Sequence, residues 1–90
     1  MQTETLDIIN KRGLHARAAA KLATLANRFE AKVSARVGEG GWADAKSVMS
    51  LMLLAASYGT ALQISVEGDD AEAALCAIRA LIADRFEEGE

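Results

Sequence analysis

The sequence predicts an α+β fold, an open-faced β-sandwich with one wet sheet face and one face covered by helices. Two patterns carry this expectation. Every strand-like segment alternates apolar and polar residues, so each strand buries one side only. Every helix-like segment carries an apolar stripe that another layer must cover. The elements run strand, helix, strand, strand, helix, strand, helix, the order βαββαβα. Periodicity does not set the order of the strands within the sheet.

From Thr3 to Ile9, Leu6 and Ile8 fall on alternate positions among β-branched residues, which reads as a first strand. Asn10 to Gly13 is a polar turn. Ala19, Leu22, Ala23, Ala26 and Phe29 recur at helical spacing and predict a helix over Ala16 to Phe29. Val33, Ala35 and Val37 alternate with Lys32, Ser34 and Arg36, a half-buried strand. Gly38-Glu39-Gly40-Gly41 suits a hairpin loop, with a short strand at Trp42 to Asp44 completing it. Ser47 precedes a short, unusually apolar helix over Val48 to Leu54, and Gly59 can end the segment that follows. Leu62, Ile64 and Val66 alternate with Gln63, Ser65 and Glu67, the clearest strand of all. Asp69, with Glu72 three residues on, has the form of a capping box. It opens the longest helix, striped by Ala71, Ala74, Leu75, Ile78, Leu81 and Ile82 and running to about Arg85.

Ninety residues with 51% hydrophobic content and seven scattered or loop glycines allow one compact core. No linker interrupts the chain, so residues 1–90 are expected to form a single domain. A net charge of −3 argues against nucleic-acid binding, which normally shows a basic face. The N-terminus lacks a signal-peptide pattern, and the longest apolar run, Leu51 to Ala56, is too short to insert into a membrane. The expectation is a soluble cytoplasmic protein, monomeric and without a cofactor. One cysteine, Cys76, and one histidine, His15, make no familiar metal site. Cys76 falls within a helical apolar pattern and is expected to be a packed side chain rather than a reactive thiol.

Chemistry concentrates in Gly13-Leu14-His15-Ala16-Arg17-Ala18. A helix beginning near Ala16 leaves its first amides without intrahelical partners, and the usual capping types are missing, with His15 at the capping position. Amides at a helix start attract an anion, so Ala16 and Arg17 supply a phosphate-binding backbone. The Arg17 guanidinium, one turn in, can reach the same anion with its fork of donors. A histidine placed there can act as a nucleophile whose phosphorylated form is stabilised by those groups. Residue types alone do not separate this from a surface histidine at a helix start with Arg17 merely solvated.

Gly-Leu-His-Ala-Arg at 13–17 resembles the active-site signature of the HPr family, the histidine-containing phosphocarriers of the bacterial phosphotransferase system. A second block, Ala45-Lys46-Ser47-Val48-Met49-Ser50-Leu51-Met52, resembles that family's regulatory-serine region. The blocks lie about thirty residues apart, as in the family, and the element order extends the likeness over essentially the whole chain. The resemblance implies a four-stranded antiparallel sheet with three helices on one face. It implies a carrier rather than an enzyme in the strict sense: His15 takes a phosphoryl group on Nδ1 from enzyme I, which draws on phosphoenolpyruvate, and passes it to a histidine of an enzyme IIA-type protein. Arg17 would stabilise the group in transit. The relay would serve either carbohydrate transport or a nitrogen-related regulatory branch.

The family usually has proline after the arginine, whereas this chain has Ala18, which restores an N–H and leaves the first turn less constrained. Ser47 is a preferred helix N-cap by residue type. The resemblance adds that the matching serine is phosphorylated by an HPr kinase/phosphorylase in some bacteria. Val48, Met49 and Met52 are core by default. The resemblance makes them an exposed partner-binding patch, and methionine suits a surface that fits several partners. Two other readings stay open: a regulatory HPr-like module acting only through phosphorylated Ser47, and a small α+β domain that binds an anion reversibly at the first helix.

Overall fold

The computed structural model describes residues 2–87. In chain order these form β1 (Gln2–Asp7), α1 (Ala16–Ala26), β2 (Lys32–Val37), β3 (Ala43–Asp44), α2 (Val48–Met52), β4 (Ala61–Glu67) and α3 (Ala71–Ala83). A single 3-10 turn, Arg85–Glu87, follows α3. The sheet is antiparallel with strand order β1-β4-β2-β3, so the chain crosses over to place its last strand centrally. The expected open-faced sandwich is the fold observed.

Registry explains which side of each strand is covered. Leu62, Ile64 and Val66 of β4 are fully buried beneath the helices, as are Val33 and Ala35 of β2. Leu22 of α1, Leu51 of α2 and Ile78 of α3 meet them in one core. On the opposite face, Thr3, Ser65, Ser34 and Asp44 line up in register across all four strands. There the Arg36 guanidinium donates to Gln63 Oε1 at 2.7 Å and lies 4.5 Å from the Trp42 ring centroid. Arg79 of α3 holds Glu4 of β1 through two bonds of 2.8 and 2.6 Å, which lowers the Glu4 carboxyl below its usual range.

Several boundaries differ from those expected, each for a local reason. β1 ends at Asp7, yet Ile8 is fully buried because its N–H and C=O bond Thr60 and Gly59 beyond the strand pair. α1 stops at Ala26, three residues before Phe29, where the Asn27 amide turns back to Ala23 O (2.8 Å) and reaches Lys46 O (3.1 Å). α2 is one short helix ending at Met52, and the chain then turns through Ala55 at φ +53.

The capping box at Asp69 and Glu72 does not form. Asp70 is the N-cap of α3, and its carboxylate is turned away from its own helix. It accepts the N–H groups of Glu30 (2.9 Å) and Ala31 (2.8 Å), tying α3 to the approach to β2. Those bonds, the one from Glu30 foremost, hold the Asp70 carboxyl below its ordinary value. Cys76 is exposed, not packed. It stands one position past Leu75, about 100° around α3 from the buried stripe of Ala71, Ala74, Leu75, Ile78 and Ile82. α3 stops at Ala83, and Arg85, Phe86 and Glu87 all have positive φ (53, 53 and 65), a left-handed turn that drives Phe86 wholly into the core.

Candidate functional site

The site is built on the turn that enters α1. Gly13 has φ +67, and a Cβ there would lie 2.6 Å from Ala56 O and 2.7 Å from Ser57 Cα, so only glycine fits. The turn is braced on both sides. The Asn10 amide, fully buried, donates to Gly13 O at 2.7 Å, and Gly13 N–H returns to Asn10 O at 3.1 Å. Leu14 N–H donates to Ala56 O at 2.7 Å, stitching the turn to the segment that follows α2. That segment is itself held by Ser57 N–H on Thr60 Oγ1 at 3.1 Å.

His15 is therefore delivered to the N-cap position of α1 in extended conformation (φ −77, ψ 179), and its ring makes no capping bond to the helix. It is half-buried, while Ala16 and Arg17 beside it are exposed and Ala18 is fully buried. Ala19 N–H bonds His15 O at 2.8 Å, which is where the intrahelical ladder begins. The amides of Ala16 and Arg17 precede that bond and have no carbonyl four residues back within the helix. No acidic side chain stands in the first turn to compete for them. The start of α1 thus carries two main-chain amides outside the intrahelical ladder next to His15, with the exposed Arg17 two residues on.

Ser47 is the N-cap of α2, with its Oγ accepting Ser50 N–H at 3.2 Å. Val48 (36% exposed), Met49 (73%) and Met52 (44%) face outward, while Leu51 is fully buried and Leu54 half-buried. α2 packs against α1, so this apolar surface and the start of α1 lie on adjoining elements. Lys11 and Arg12 are exposed in the turn before His15.

The sequence singles out Arg17 but not Asn10, Thr24 or Arg28. Asn10 braces the turn by a buried bond that nothing in its residue type announces. Arg17, Lys21, Thr24 and Arg28 share one face of α1 and line a hollow of about 330 Å³ against Leu81 and Glu87. Their spacing of four, three and four residues is a legible helical signal. Lys21 is engaged there with Phe86 O at 2.9 Å and Glu87 at 3.3 Å, whereas Arg17 stands at the end nearest His15.

Comparison with known proteins agrees with this architecture. The family described as "PTS HPr component phosphorylation site" matches residues 2–84. The phosphocarrier protein HPr of Cupriavidus necator is 49% identical over 83 residues, covering 92% of each chain. The phosphocarrier protein NPr of Shewanella violacea is 47% identical over 81 residues, 90% of this chain and 88% of that one. The crystal structure of an HPr from Thermoanaerobacter tengcongensis superposes with a TM-score of 0.92 at 39% identity, covering 98% of both chains. Among the described residues no helix is long and apolar enough to cross a membrane. With a matching fold, a family match over residues 2–84 and near-full-length likeness to named carriers, the chain belongs to the HPr family and is a phosphocarrier of the phosphotransferase system.

Proposed function

We propose that His15 is the residue that carries the phosphoryl group, accepting it from phosphorylated enzyme I and giving it to a histidine of an enzyme IIA-type protein. The observation that supports this reading most is the place of His15 at the N-cap of α1, directly before the amides of Ala16 and Arg17 that begin the helix. In the transfer, a lone pair on His15 Nδ1 forms the new P–N bond as the donor's P–N bond breaks, and the donor nitrogen keeps that electron pair. The amides and the Arg17 guanidinium neutralise charge on the phosphoryl oxygens as they pass. The reverse geometry delivers the group to the acceptor, so the chain returns unchanged and acts as a carrier. This takes place in the cytoplasm, with the protein as a monomer.

Docking in this reading uses Val48, Met49 and Met52, with Lys11, Arg12 and Arg17 facing acidic partner surfaces. Ser47 stands at the edge of that patch. A kinase that phosphorylates Ser47 would add about two negative charges at a helix start, where they are tolerated by the fold but oppose docking. Incubation with phosphoenolpyruvate and enzyme I, followed by intact-mass measurement, tests the proposal. A single covalent phosphoryl group is the expected result. Reversible phosphate binding without a mass change would favour an anion-binding domain and overturn it.

A further inference from the structure

Asn10 is one of two polar residues buried among the described residues, the other being Ser65. It stands where the chain leaves the sheet. Ile8, two residues earlier, is fully buried and fixed by its N–H on Thr60 O (2.9 Å) and by Gly59 N–H on its own carbonyl (2.8 Å). From that anchored stretch the Asn10 amide reaches forward, past the exposed Lys11 and Arg12, to Gly13 O at 2.7 Å.

Gly13 O and Leu14 N–H belong to one planar peptide unit. Its oxygen end takes the Asn10 bond, and its nitrogen end gives the 2.7 Å bond to Ala56 O. A unit held at both ends does not rotate. The restraint matters at this place because the turn requires glycine at φ +67, and glycine allows its flanking peptides more orientations than any other residue. Rotation of the unit would carry Leu14 out of the core and move His15 from the head of α1.

We propose that Asn10 is a positioning residue for phosphoryl transfer, which locks the Gly13–Leu14 peptide and so sets the position of His15 at the start of α1. The inference rests on the reading of His15 as the phosphoryl carrier. Asn10 is fully buried and adds nothing to the surface that a partner meets. Its loss is therefore felt in the transfer step and not in docking.

Asn10→Ala and Asn10→Leu both remove the donor. Leucine keeps nearly the same volume, so the fold survives that change even where alanine loosens the turn. Single-turnover transfer from phosphorylated enzyme I is measured at rising concentrations of the chain. Each variant is expected to reach a maximal rate about tenfold or more below the parent, with a half-saturating concentration within about twofold of it. Asp70→Asn, which weakens the tie between α3 and the approach to β2, is the control for lost stability and should transfer at the parent's rate. Hydrogen exchange supplies a second readout. Leu14 N–H should exchange about tenfold or more faster in both Asn10 variants, and the amide resonances of Ala16 and Arg17 should move. Both changes are expected equally in a His15→Ala background, so they report on the turn whatever carries the phosphate. A maximal rate equal to the parent's, a change confined to the half-saturating concentration, equal slowing by Asp70→Asn, or unmoved amides would overturn the inference. Full phosphorylation of His15→Ala, with the amides displaced as expected, would overturn the reading of His15 on which it rests.

Discussion

Gly13→Ala isolates how the fold delivers His15. A left-handed conformation costs an alanine about 1–2 kcal/mol that glycine does not incur. At φ +67 the added Cβ would also stand 2.6 Å from Ala56 O and 2.7 Å from Ser57 Cα, both main-chain atoms that cannot rotate aside. The turn must move, and the 2.7 Å bond from Leu14 N–H to Ala56 O is lengthened or lost, about 1 kcal/mol more. Gly59 is the internal control, since its φ is +84 but nothing lies within 4 Å of a Cβ there. The gap between the two alanine variants therefore measures the clash and the lost bond, about 1–2 kcal/mol. For a chain of this size that corresponds to a Tm roughly 5–15 °C lower for Gly13→Ala than for Gly59→Ala. Thermal unfolding followed by circular dichroism supplies both values. In the fraction still folded, Gly13→Ala should also accept phosphate more slowly, because the start of α1 shifts with the turn. Equal Tm values for the two variants would refute the reasoning that Gly13 is fixed by contact with the 56–57 segment.

Arg17→Ala is expected to slow phosphoryl transfer by a factor on the order of ten to a thousand, with Arg17→Lys only partly restoring it; stopped-flow transfer rates check this. Ser47→Asp keeps a side chain able to cap α2, so its Tm should stay near that of the parent, while Ser47→Ala should cost about 1 kcal/mol. The aspartate variant should nevertheless bind enzyme I more weakly and with a salt dependence that Met49→Ala does not share, measured by titration at two ionic strengths. For Asp70 the folded carboxyl lies below its ordinary range, so the ionised group stabilises the fold above that range and loses its effect as pH falls through it. Asp70→Asn should therefore be less stable than the parent at neutral pH, with the difference narrowing in acid, as urea unfolding across pH would report.

What was legible follows from which interactions leave a periodic trace. Leu62, Ile64 and Val66 alternate because one face of β4 is wet, and the same contrast marks β2 and all three helices. Antiparallel order β1-β4-β2-β3 leaves no such trace, since any of the strands satisfies the same alternation. The helix start at Ala16 was readable from missing caps, and Ser47 from its capping type. The Asp69–Glu72 pattern misled because Asp70 serves a neighbouring segment forty residues away, a long-range choice that outweighs local spacing. Cys76 misled because small apolar types tolerate either side of a stripe boundary. The left-handed turn at Arg85–Glu87 uses no glycine, so its residues give no sign of positive φ; burial of Phe86 and the Lys21 bond to its carbonyl hold it instead.

In the proposed relay His15 alone carries the phosphoryl group. Its most direct test compares the parent chain with His15→Ala after incubation with phosphoenolpyruvate and enzyme I, reading intact mass before and after brief acid treatment. One acid-labile phosphoryl group is expected on the parent and none on the variant, whose circular dichroism and Tm should remain close to those of the parent. A variant that is phosphorylated as fully as the parent would contradict it.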